Sequence, residues 1–122
     1  MPIQKCLHTT LLVSDLAQAE YFYGETLGLE KAERNLNFPG VWYQVDGYQI
    51  HIIVHDGLPK RELISEKWGR NSHLAFSVTD IDALAEKLTT NGFICQKSAS
   101  GRPALFTQDL DGNVIELAAA SL

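Results

Sequence analysis

The sequence predicts an α+β chain of two βαβββ modules, each with one apolar sheet face suited to packing against its helix. Three observations predict it. Similar segments recur at one spacing, each copy runs through its elements in the same order, and each copy closes on an Asp-Gly turn. "HTTLLVSDL" begins at His8 and "HLAFSVTDI" at His73, both with Val in sixth place and Asp in eighth. "VDGYQIHII" from Val45 matches "LDGNVIELA" from Leu110, so that Ile50 falls on Ile115 and His51 on Glu116. Both matches have an offset of 65 residues. The chain of 122 residues therefore reads as one domain over 1–122, with modules at about 3–54 and 69–119 and a linker at about 55–68. That joining segment, "HDGLPKRELISEKWG", carries the Gly, Pro and charge of a connector.

Each module opens on a strand, 5–13 or 72–78, in which apolar side chains alternate with period two. A helix follows, with Ser14-Asp15 or Thr79-Asp80 as N-cap residues. Leu16, Ala19, Tyr23 and Leu27 keep helical spacing in the first, and Ile81, Leu84, Ala85 and Leu88 in the second. Gly28 and Gly92 stand where a helix C-terminus takes a left-handed residue. Three short strands complete each module, at about 29–34, 41–46 and 49–54, then 93–97, 104–108 and 113–118. The last hairpins turn at Asp46-Gly47 and Asp111-Gly112.

Composition narrows the function classes. With 45% hydrophobic and 20% charged residues the chain reads as an ordinary soluble domain. A net charge of −5 without a dense basic cluster argues against a nucleic-acid partner. No apolar run approaches the roughly 20 residues of a membrane span, and the N-terminus lacks the apolar core of a signal peptide. Cys6 and Cys95 make no disulfide framework, so the expectation is a cytoplasmic protein with two free thiols.

Strand parity selects the chemistry. Ile50, Ile52 and Val54 share one face of their strand and His51 the other, and Ile115 and Leu117 oppose Glu116 in the same way. In the opening strands His8 shares a face with Cys6, Thr10 and Leu12, and His73 with Ala75 and Ser77. His8, His51, His73 and Glu116 are thus expected on the helix-free face. Three imidazoles and a carboxylate suit one divalent transition metal ion, with Zn, Ni, Fe, Mn and Co all open. His55 has no partner at the offset and reads as surface. Arg102 and Thr10 are expected to contact substrate. Of the adjacent Trp42 and Tyr43, both substrate candidates, one faces the site and the other the helices.

These residues resemble the vicinal oxygen chelate superfamily, which includes glyoxalase I, methylmalonyl-CoA epimerase, extradiol dioxygenases and fosfomycin- and bleomycin-resistance proteins. The resemblance rests on "LHTTLLVSDLAQAEYFYGETLGLE", "QIHII", "NSHLAFSVTDI" and "LFTQDLDGNVIEL", nearly the whole chain. It implies a glyoxalase-like fold, a cupped, mostly antiparallel sheet with helices on the outer face and one metal within, its ligands from the first and last strands of each module. Carried over, these are His8, His51, His73 and Glu116. It also implies a homodimer, since members of this length commonly dimerise and some complete the site with a second chain.

One position departs from the pattern. Glyoxalase I typically has Glu where this chain has His51, so one candidate base is lost and the site gains one unit of positive charge. The expected chemistry is Lewis-acid activation of a small carbonyl or hydroxy substrate, with Glu116 as ligand and catalytic base. A lyase or isomerase of glyoxalase I type leads. The competing readings are an extradiol-type dioxygenase, a thiol transferase of the fosfomycin-resistance type and a non-enzymatic sequestering protein.

Overall fold

Asp15 and Asp80 start the two helices. Their carboxylates accept from the amides of Gln18 at 2.9 Å and Ala83 at 3.0 Å, which satisfies donors that a first turn otherwise leaves open. The computed structural model describes residues 1–119. In chain order the elements are β1 (His8–Val13), α1 (Leu16–Ala19), β2 (Glu30–Ala32), β3 (Gly40–Val45), β4 (Tyr48–Val54), β5 (His73–Val78), α2 (Ile81–Thr90), β6 (Cys95–Lys97), β7 (Ala104–Gln108) and β8 (Val114–Ala119). The chain divides into two compact units, Met1–Leu58 and Pro59–Leu122, with the boundary inside the expected linker. Each unit holds one βαβββ copy. Among the described residues no helix is long and apolar enough to cross a membrane.

The strands form two four-stranded sheets, one per copy, in the orders β1-β4-β3-β2 and β5-β8-β7-β6. Two pairings in each sheet are antiparallel and one is parallel, β1 with β4 and β5 with β8. Both parallel ladders keep the 65-residue offset: Thr10 lies opposite His51, and Ala75 opposite Glu116. β1 begins later than the expected residue 5, with one further bond from the Gln49 amide to the Leu7 carbonyl at 3.1 Å. β6 begins later than 93 because the Phe93 amide still closes α2, donating to Leu88 at 2.9 Å.

The first helix departs from a regular α-helix. After α1 the chain widens into a π-helical segment, Glu20–Thr26. The Leu27 amide reaches back five residues to Phe22, and the Thr26 hydroxyl does the same to Tyr21. Gly28, with φ +78°, then ends the helix, as Gly92 at +93° ends α2. The wider turn carries Gly24 onto Tyr43, where a Cβ would stand 3.0 Å from the phenol oxygen. Phe22, Tyr23, Tyr43, Ile50 and Ile52 are almost wholly buried around this contact. Burial of each such side chain contributes about 1.5–3 kcal/mol.

The two final hairpins differ. Asp46 and Gly47 both have positive φ and make a two-residue turn between Val45 and Tyr48. The second connection is longer, spanning Asp109–Asn113 between Gln108 and Val114. The Asp109 carboxylate organises it by accepting from the amides of Asp111 and Asn113 and from the Asn113 side chain, at 2.8–2.9 Å. The Asp-x-Asp-Gly-Asn run is thus a self-bonded turn.

Tyr43 supplies a test of the core. Its hydroxyl is buried with no hydrogen-bond partner, and burial, reinforced by Glu20, raises its pKa from 10 to about 12. The unfolded phenol ionises first, so stability holds below pH 10 and falls as pH rises towards about 12. Tyr43→Phe removes an unsatisfied polar atom at small volume change. Denaturant titration should show it as stable as the parent or up to about 1–3 kcal/mol more so, with a shallower alkaline decline.

Candidate functional site

β1 and β4 bring the first donor pair together. Parallel pairing sets His8 beside Gln49 and Thr10 beside His51, and the two imidazoles stack at 4.0 Å with planes 13° apart. Trp42 lies opposite His51 on β3 and covers its other face at 3.9 Å and 5°. Three rings thus form one stack across three strands. The register resolves the adjacent aromatics: Trp42 belongs to the histidine face, whereas Tyr43 lies opposite Ile50 in the helix-side core. Tyr43 is fully buried, which takes it out of reach of a substrate on the histidine face.

His51 Nε2 lies 2.9 Å from the Gln49 amide oxygen, two residues back on the same face. Burial lowers the His51 pKa below its usual 6.5, with smaller contributions from His8 and Arg34, so the ring is neutral at pH 7. A neutral imidazole is the form that binds a metal. Thr10 is exposed beside this pair on β1.

β5 and β8 bring the second pair together. His73 Nδ1 is 2.7 Å from the Asn71 carbonyl, which can only accept, so Nδ1 carries a hydrogen. Nε2 then faces Glu116 Oε1 at 3.1 Å. In the neutral ring that nitrogen is an acceptor, and two acceptors in contact need a proton or a metal cation between them. The Asn71 side chain fixes the backbone behind this arrangement by bonding to Ile64 N–H, Ile64 C=O and Trp68 C=O at 2.8–3.0 Å. Such support behind a ligating imidazole sets its tautomer and direction.

Glu116 is buried, and its second oxygen is 3.1 Å from Arg102 Nη2. Arg102, expected to meet substrate, therefore also orients the carboxylate. Phe106 lies opposite Glu116 on β7 and meets His73 edge to face at 5.4 Å.

Among the described residues no three His, Cys, Asp or Glu side chains gather into one metal-sized group. The four expected donors come as two pairs, His8 with His51 and His73 with Glu116. Their chemistry fits a divalent ion. Cys6 and Cys95 are free thiols, Cys6 exposed, and burial pushes the Cys95 thiol up against the lowering effect of Thr107 and Thr89. His55 is exposed after β4, as expected.

Sequence reading passed over Gln49, Asn71 and Phe106. Gln49 was visible from parity, at two residues from His51. Asn71 acts on His73 through a backbone carbonyl and leaves no such trace, and Phe106 depends on hairpin register.

Comparison with known proteins identifies the family and the fold. A family model, Glyoxalase/Bleomycin resistance protein/Dioxygenase superfamily, matches residues 5–117. A glyoxalase family protein of known structure from Enterococcus faecalis is 26% identical, with a TM-score of 0.74 over 96% of this chain and 98% of that one. The genomically encoded fosfomycin resistance protein FosX from Listeria monocytogenes, in its hexagonal form, is 22% identical, with a TM-score of 0.74 over 98% of this chain and 96% of the other. That second likeness concerns the fold. The comparison with curated proteins gives no match.

The His51 environment predicts a titration. In metal-free protein the His51 ring signals should move with a midpoint below 6.5 in an NMR pH series. His8→Ala removes both a covering ring and a neighbouring cation, so the midpoint should rise. An unchanged or lower midpoint would contradict this account of the shift.

Proposed function

The chain belongs to the Glyoxalase/Bleomycin resistance protein/Dioxygenase superfamily, and on that premise we propose that it is a metal-dependent enzyme acting on a small carbonyl or hydroxy substrate by Lewis-acid polarisation and proton transfer. Members of this superfamily generally bind divalent metals. The observation that carries the reading is His73, whose Nδ1 is committed to Asn71 while Nε2 faces the Glu116 carboxylate at 3.1 Å. The residues that would hold the ion are His8, His51, His73 and Glu116. When bound, a divalent ion (Zn, Ni, Fe, Mn or Co) would supply Lewis acidity at a substrate oxygen.

The chain's own groups do the rest. Asn71 and Gln49 hold the two imidazoles in direction. Glu116 divides its roles between oxygens: Oε1 faces His73, while Oε2, beside Arg102, takes the substrate proton and returns it. Arg102, about half exposed, keeps that oxygen oriented between the two transfers. Trp42 covers His51 and excludes water from one side of its ring. His51, in place of a carboxylate, leaves Glu116 as the single acid in the donor set. In a lyase or isomerase reaction of glyoxalase I type, Glu116 alone then serves both proton transfers. Assembly as a homodimer in the cytoplasm completes the proposal.

Metal titration tests it. Chelator-stripped protein should take up one divalent ion per set of four donors by calorimetry. His73→Ala and Glu116→Gln should each weaken binding by at least about tenfold. The same variants should lose turnover in a screen that begins with hemithioacetals and acyl-CoA epimers, while circular dichroism stays unchanged. Absence of stoichiometric uptake would overturn the proposal and leave a sequestering protein in its place.

A further inference from the structure

The plane of His51 is set by its neighbours on both faces. Its ring lies between Trp42, at 3.9 Å and 5°, and His8, at 4.0 Å and 13°. Tilting the ring would break both contacts. A half-turn about the bond from Cβ to the ring keeps the stack and exchanges the edges that Nδ1 and Nε2 occupy. Whatever chooses between those two orientations therefore acts at the ring edge.

Gln49 acts there. Side chains two residues apart in a strand share a face, and Gln49 Oε1 lies 2.9 Å from His51 Nε2. An amide oxygen only accepts, so the hydrogen of the neutral ring stands on Nε2 and Nδ1 keeps its lone pair. Gln49 is itself anchored: its backbone amide donates to the Leu7 carbonyl at 3.1 Å, and the sheet sets it between His8 and Gln44. Nδ1 of His51 has no hydrogen-bond partner among the described residues, and it is not among the buried polar atoms left unpaired. Its lone pair is thus open to a ligand, and neither covering ring obstructs the plane in which that lone pair points.

The second unit makes the opposite choice. The Asn71 carbonyl takes the Nδ1 hydrogen of His73 at 2.7 Å, which leaves Nε2 as the bare nitrogen. We infer that Gln49 is a positioning residue that keeps the His51 hydrogen on Nε2, so that His51 offers Nδ1 as its donor atom where His73 offers Nε2. The two imidazoles then present their donors at different distances from their strands. Nδ1 is bonded to the ring carbon that carries the side chain, and Nε2 stands beyond it. The inference rests on the proposed function only for what the lone pair receives, a divalent ion. The tautomer belongs to the metal-free chain.

Nitrogen NMR of the imidazoles tests it, because a ring nitrogen that bears hydrogen and a bare one resonate far apart. The sample is chelator-stripped, nitrogen-15-labelled protein at about pH 8, above the usual histidine range. His51 should show its bare nitrogen at Nδ1, and His73 at Nε2. His8, exposed and with neither nitrogen partnered among the described residues, should give averaged signals and serves as the reference for an undirected ring. Gln49→Leu should move His51 towards the His8 pattern and leave His73 unchanged, and Gln49→Glu, which keeps an acceptor, should restore the parent pattern. Zinc added to the parent should then shift Nδ1 of His51. By calorimetry Gln49→Leu should weaken zinc uptake about tenfold, with Gln49→Glu close to the parent. A bare Nε2 on His51, a ring already averaged in the parent, or a Gln49→Leu variant with the parent's tautomer would overturn the inference, as would zinc taken through Nε2. Failure to take up zinc would overturn the proposed function and leave the tautomer, read without metal, to decide the inference.

Discussion

β4 and β8 each turn one wholly apolar face to the helix-side core, and everything chemical in the molecule follows from that register. Ile50 and Ile52 in β4, and Ile115 and Leu117 in β8, are at most about one-hundredth exposed. A slip of one residue against β1 or β5 would bring these four out and turn His51 and Glu116 inward. Loss of so much apolar burial, together with a carboxylate facing hydrocarbon, makes that register far less stable. The apolar residues therefore aim the polar ones. Neither His51 nor Glu116 needs a contact of its own to face the helix-free side.

The two copies use this frame for different electrostatics. In the first unit the pair consists of two imidazoles, stacked and covered by Trp42, with Gln49 as a neutral partner. In the second it consists of an imidazole and a carboxylate, with a backbone carbonyl behind one and a guanidinium behind the other. Burial disfavours the charged form of His51 in the first pair, while the second concentrates the ionic interactions. The same topology thus presents a pair of nitrogen donors and a mixed pair from related stretches of sequence.

The repeat at 65 residues made most of the architecture legible, because it aligned strands, helix caps and donors at once. Asp15 and Asp80 cap as their positions require, and parity assigned all four donors to faces within their own sheets. What stayed hidden depended on register or backbone. The π-helical turn at Glu20–Thr26 has the same apolar spacing as an α-helix over so short a run, so periodicity does not distinguish them. Trp42 and Tyr43 could be told apart only through the hairpin that places Trp42 opposite His51.

The longer turn at Asp109–Asn113 has an effect beyond its own hydrogen bonds. Relative to the first copy it adds one residue on the β7 side of Asp111-Gly112, so β7 matches β3 at an offset of 64 while β8 still matches β4 at 65. Phe106 thereby takes the place opposite Glu116 that Trp42 holds opposite His51. Duplicated halves are usually expected to drift by substitution, each position keeping its counterpart. Here a difference of one residue uncouples the wall from the candidate donors: the strands that present the donors keep their correspondence, and the strand beside them is re-indexed. The side chain facing a donor can then change by the shift of a strand, with the donor left where it was.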